Sequence, residues 1–147
     1  MRKLKNYLKI ITIFFVVCTI SSCDKFGRAR ILNKSNENIR VIVKFDKAYI
    51  QEREDLEINE LIRTYHDGYS NLNLIRYNTD KLTAEYEIQK DSCAEIDGDW
   101  GGVPQFNFFE KVIIAKKGDT LILRSKNEMK RAFIKEKNTL DFNLVFK

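Results

Sequence analysis

Three segments of this chain place apolar residues at every second position, and no other feature restricts the fold as much. Ile39, Val41, Val43 and Phe45 share one face of an extended segment, with Arg40, Lys44 and Asp46 on the other. Leu82, Ala84, Tyr86 and Ile88 repeat the pattern against Thr83, Glu85, Glu87 and Gln89. Leu140, Phe142, Leu144 and Phe146 do so again against Asp141, Asn143 and Lys147. Successive side chains of a strand point to opposite faces, so period two predicts strands with one buried and one wetted face. Half-wetted strands belong to antiparallel sheets, because parallel sheets are covered on both faces.

Weaker or mixed alternation predicts further strands at Arg28 to Lys34, Leu72 to Tyr77, Phe108 to Ala115 and Thr120 to Arg124. Ser35-Asn36-Glu37-Asn38 and Lys116-Lys117-Gly118-Asp119 carry turn residues between neighbouring strands and predict two hairpins. Two segments switch to helical spacing. From Gln51 to His66, Ile58, Leu61, Ile62 and Tyr65 recur on one side, with acids early, Arg63 and His66 late, and Gly68 as a stop. Ser125-Lys126-Asn127-Glu128 reads as a capping box that turns Met129, Ala132 and Phe133 inward, with Asn138 as the terminator. The expected fold is mainly β: an antiparallel β-sandwich-like domain of about seven strands with two short helices.

The amino terminus follows a different logic. Arg2, Lys3, Lys5 and Lys9 precede an apolar run from Ile10 to Ile20. As a helix that run rises about 16 Å, roughly half the hydrocarbon thickness of a bilayer, too short for a stable span. A basic start, a short apolar stretch and small residues before a cut describe a secretory signal. Ile20-Ser21-Ser22-Cys23 resembles the lipobox of bacterial lipoproteins. The resemblance implies that Cys23 carries a diacylglycerol on its sulfur and becomes the first residue after cleavage; Cys18 competes poorly because the bulky Val17 precedes it. The expected organisation is therefore a signal at 1–22, a lipidated tether at 23–27, and one globular domain at 28–147. Its partner would be the lipid membrane, held through acylated Cys23, and its place the bacterial cell envelope, facing the periplasm or the exterior.

Loss of the signal changes what composition means. Of 26 basic residues four leave with it, against 21 acids that all stay, so the mature balance is close to neutral. That gives no electrostatic footprint for nucleic acid. With Cys18 discarded and Cys23 acylated, Cys93 stands alone and no disulfide is expected. Lys25, Arg28, Arg30 and Lys34 cluster beside the anchor, where they would either meet anionic headgroups or solvate an outer strand face.

The stretch from Asp91 to Pro104 reads as a turn-rich loop and holds the candidate site. Glu95, Asp97 and Asp99, spaced two apart, would aim three carboxylates at one point, a hard-oxygen arrangement suited to calcium. The bidentate glutamate of a helix–loop–helix calcium site is missing, so a solvated loop is the stronger reading. Trp100, the single tryptophan, would stack on a sugar or anchor a partner, or else cap the sandwich core. The area a buried indole contributes favours the cap. Cys93, His66 and a nearby acid would compose a thiol-hydrolase set, but Cys93 lies in no nucleophile signature and reads as a buried, inert thiol. No catalytic residues, cofactor or metal are assigned. The expectation is a non-catalytic envelope lipoprotein, a protein-binding or accessory module. The alternatives are a calcium or glycan module using Glu95, Asp97, Asp99 and Trp100 and, less favoured, a thiol enzyme.

Overall fold

The structure is a computed structural model and describes residues 25–53, 60, 63, 65 and 72–147. The signal segment, Cys23, and most of the expected 51–66 helix with Ile58, Leu61, Ile62, His66 and Gly68 lie outside the described residues. The chain is mainly β and sandwich-like. The described strands are β1 (Gly27–Asn33), β2 (Ile39–Phe45), β3 (Asn73–Asn78), β4 (Thr83–Ile88), β5 (Cys93–Asp99), β6 (Phe109–Lys116), β7 (Asp119–Leu123), β8 (Ile134–Lys135) and β9 (Asp141–Phe146). Helices α1 (Lys47–Arg53) and α2 (Lys126–Ala132) complete the described elements.

Two sheets form, one in the order β5-β1-β9-β8 and one in the order β3-β4-β2-β6-β7. Every neighbouring pair is antiparallel except β1 and β9, which run parallel. The three segments with that period became β2, β4 and β9, and their apolar faces are buried. Phe45, Tyr86, Phe109 and Ile114 of the five-stranded sheet and Ile31, Ile96 and Leu144 of the other lie in one apolar core. Fully burying side chains of this size contributes about 1.5–3 kcal/mol each before entropy is counted. Tyr65 joins them, with its ring 5.3 Å from Phe45 and 5.6 Å from Phe109.

One expected hairpin forms and the other does not. β6 and β7 are joined through Lys117 and Gly118, and Gly118 takes a φ of +83° that few residues but glycine adopt. Ser35 to Asn38, however, carry the chain from one sheet to the other, because β1 and β2 pair with different partners. Buried Asn33 secures that crossing. Its amide donates to the carbonyls of Glu37 (2.9 Å), Ile88 (3.2 Å) and Gln89 (3.0 Å), and its oxygen accepts from Ser35 N (3.0 Å).

α1 reaches into the start of the expected 51–66 helix, of which residues 60, 63 and 65 are also described and helical. The Asp46 carboxylate caps α1 by accepting from Tyr49 N at 3.2 Å. α2 begins as expected, with Ser125 Oγ accepting from Glu128 N at 3.2 Å. It stops at Ala132 and not at Asn138, which takes a φ of +63° in the turn between β8 and β9.

Candidate functional site

The stretch expected to be a loop is a strand. Residues Cys93 to Asp99 form β5, an edge strand paired along β1. Arg30 stands opposite Glu95 and Ala29 opposite Asp97, so Ile96 is an extra residue in a β-bulge. The bulge moves Asp97 onto the inner face, while Glu95 stays on the outer face beside Arg30. Tyr65 Oη donates to the Ile96 carbonyl at 2.5 Å and satisfies the backbone that the bulge unpairs.

This corrects the expectation of three converging carboxylates. Glu95 is half-buried on the outer face, where burial raises its pKa, Arg28 and Arg30 oppose that, and Asp141 adds to it. Asp97 is buried, and its Oδ2 accepts from Phe106 N at 2.7 Å, holding Phe106 at a φ of +55°. Burial pushes its carboxyl up to about 6, against the pull of the Phe106 and Gly98 N–H groups and with help from Asp99 and Glu95. Asp99 closes a turn by accepting from Gly101 N at 2.9 Å on Oδ1. The three carboxylates thus serve an outer face, a core bond and a turn. Among the described residues no group of three such side chains is placed to hold a metal.

Trp100 departs from the expected core cap in the opposite direction. It is 69% exposed. The Asp99–Gly101 turn ends β5 and throws the indole outward, where its only described ring contact is Phe26, edge-on at 5.0 Å. Val103 nearby is 46% exposed, and Phe26 is half-buried. Three apolar side chains therefore gather at one corner of the four-stranded sheet.

Glycines build that corner by letting backbones approach. A Cβ on Gly27 would lie 2.5 Å from the Gly102 carbonyl carbon and oxygen, and one on Gly98 would lie 2.4 Å from the Phe26 ring. Gly102 takes a φ of +78°, and a Cβ there would meet Lys25 at ordinary contact distance. The chain entering from the amino terminus is thus clamped to the loop that carries Trp100. Chain geometry keeps the Cα of Cys23 within about 7 Å of that of Lys25.

Cys93 occupies the far end of β5, about 20 Å away along the strand. It is exposed, contrary to the buried thiol expected, because Ala94 and Ile96 take the inward positions and leave Cys93 outward at the sheet edge. A cleft of about 660 Å³ beside it is lined by Leu32, Lys34, Asn73, Ile88 and Ser92 among others. None of the lining residues is a histidine, and His66 lies outside the described residues.

Arg28 and Arg30 are also not free for headgroups. Arg28 Nε and an Arg30 guanidinium nitrogen each stand 2.8 Å from the buried Asp141 carboxylate, and Arg30 reaches Asn143 and Glu136 as well. Lys34 sits at the opposite end of β1 from the tether. Phe26, Val103 and Gly27 were not marked by any motif in the sequence; Gly98, Gly101 and Gly102 read as loop glycines supplying positive φ, and of these Gly102 alone takes one. The recurrence of glycine near positions that a register pairs together was the available signal, and it required the β1–β5 register to read. No family model matches the chain, and no curated protein or solved structure is similar to it.

Proposed function

We propose that this chain is a lipid-anchored lipoprotein of a bacterial envelope, whose domain works without catalysis as an accessory module that binds another envelope protein. The observation that carries the reading is Ile20-Ser21-Ser22-Cys23 placed directly behind a basic start and a short apolar run. Two features of the fold support it. β1 begins at Gly27, four Cα steps after Cys23, so the sandwich would ride within about 14 Å of the anchor. A sandwich with exposed corners is suited to recognition by its surface.

Cys23→Ser tests the anchor. The wild-type chain is expected to incorporate labelled fatty acid, to be cut ahead of Cys23 and to sediment with membranes until detergent is added. The variant is expected to lose the label and to accumulate as an uncut precursor. A normally processed, unlabelled wild-type chain would remove the reading.

A further inference from the structure

We infer that the Trp100 corner is a membrane-interface contact, with Trp100, Phe26 and Val103 seated in the headgroup layer of the same bilayer that holds Cys23. The inference rests on the lipid-anchor reading and goes beyond it by assigning the surface that faces the membrane.

The place where the described chain begins is the first ground. Phe26 touches Trp100, and only Asp24 and Lys25 separate Phe26 from Cys23, three Cα steps of at most about 11 Å. An acylated cysteine lies at the level of the headgroups, because its acyl chains are in the hydrocarbon. The indole then lies within about 20 Å of the anchoring cysteine whatever path that chain takes, near enough to reach the headgroup layer.

The chemistry of the corner is the second ground. Indoles concentrate at membrane–water interfaces, where an apolar ring and a polar N–H meet both media. Trp100 is 69% exposed and Val103 46% exposed, while the residues behind them are committed to the fold. Asp99 is occupied by the Gly101 N–H, and Glu136 accepts from Arg30 and Asn143. The cations at this end are less engaged. Lys25 is exposed beside Gly102, and Lys137 is exposed in the turn that leads into Asp141, the residue level with Arg28. Anionic headgroups attract such lysines at short range.

The third ground is rigidity. The Gly27–Gly102 approach fastens the tether to the loop, and the Arg28 N–Leu140 O bond of 3.0 Å ties the start of β1 to the start of β9, so anchoring and orientation are one event. β1 then leads away from the bilayer, and the Cys93 end of the sheet projects into the aqueous space, where a protein partner would meet it.

Trp100 is the single tryptophan of the chain, so indole fluorescence reports this corner alone. The purified, acylated full-length protein is reconstituted into phosphatidylethanolamine–phosphatidylglycerol vesicles that contain lipids brominated either near the carbonyl or near the chain end. The expected result is co-flotation with the vesicles, emission shifted to shorter wavelength than for an indole in water, stronger quenching by the shallow bromines than by the deep ones, and protection from iodide. Co-flotation with an emission insensitive to bromine and fully open to iodide would overturn the inference and leave the lipid anchor standing. The same bromine insensitivity, joined by loss of a cross-link to an envelope protein in Trp100→Ala, would assign the corner to that protein and equally overturn it. Failure to co-float would remove the anchor and the inference together.

Discussion

Each sheet carries on its outer face a carboxylate gripped by two arginines, and the two grips differ in how much water they share. In the four-stranded sheet Asp141 is 9% exposed, and its partners Arg28 and Arg30 are 47% and 24% exposed. In the five-stranded sheet Glu85 is 7% exposed, but Arg40 and Arg76 are 59% and 75% exposed. The carboxylates are equally buried, at 2.8 Å or less from their arginine nitrogens. What separates them is the solvent around the cations. Arg30 is further tied to Asn143 and Glu136, and Asn143 donates to the same Glu136 oxygen at 2.9 Å. That network lies across the seam where β1 meets β9 in parallel, a pairing of residues more than a hundred positions apart. Glu85 instead bridges β2, β4 and β3, strands already joined by continuous antiparallel ladders. The same three charges therefore close a seam in one sheet and decorate a ladder in the other.

The largest expected effect breaks or keeps this contrast. Asp141→Ala leaves two arginines facing each other across a partly buried seam. Removing one partner of a buried ion pair costs 3–5 kcal/mol, and the half-exposed Arg28 places this case at the lower end, about 3 kcal/mol. Glu85→Ala leaves arginines that reach water by small movements, so its cost should be about 1 kcal/mol. Urea denaturation of a soluble form lacking residues 1–24 measures both. Equal losses, or a larger loss for Glu85→Ala, would show that the seam is not the weaker construction.

The contrast also explains which parts of the fold could be read from the chain. The five-stranded sheet is legible because β2 and β4 keep apolar residues at every second position, and β6–β7 is closed by Gly118. The four-stranded sheet is only partly so: β9 alternates and β1 does so weakly, but its other two strands carry no such pattern. β5 is written in turn residues, with Asp97, Gly98 and Asp99 at its end, and its bulge at Ile96 shifts the period by one exactly where alternation would reveal it. β8 is two residues long. The β1–β9 pairing leaves no local trace, and Arg28 and Arg30 read as surface cations until Asp141 is brought beside them. The candidate site suffered from the same cause. The residues Glu95, Asp97, Asp99 and Trp100 were selected for their chemistry, but the direction each one faces is set by the bulge and by the β1 register, so the carboxylates diverge and the indole is exposed.

A second experiment places the pH response on the four-stranded sheet. Asp97 has a folded-state pKa of about 6 against an ordinary 3.8. The native state therefore binds more protons than the unfolded chain between those values, and stability from this group falls as pH rises through that window, then levels off. The rise corresponds to at most about 3 kcal/mol, and roughly 2 kcal/mol is expected after relaxation around the carboxylate. Asp97→Asn keeps an oxygen for the Phe106 N–H and removes the charge. Its stability relative to wild type should increase by that amount from pH 4 to pH 7. A difference that stays flat across the range would mean that Asp97 titrates as an ordinary surface acid and that its bond to Phe106 carries no electrostatic cost.

The smallest expected effect concerns the most conspicuous residue. Trp100 has the size of a core anchor, and a large-to-small change in a core costs 3–5 kcal/mol. Its position argues for much less. The indole is 69% exposed, so truncation removes little buried area and opens no cavity. The edge contact with Phe26 is the one described ring interaction it loses, and the Gly27–Gly102 and Arg28–Leu140 contacts that hold the corner do not involve its side chain. Trp100→Ala should therefore change unfolding free energy by about 0.5 kcal/mol or less, the range of ordinary surface positions. Set beside Asp141→Ala, it separates a residue the fold depends on from one the fold merely presents. A loss near 3 kcal/mol would mean that the corner is held together by the indole, and an exposed tryptophan that stabilises the domain would no longer need a membrane to explain it.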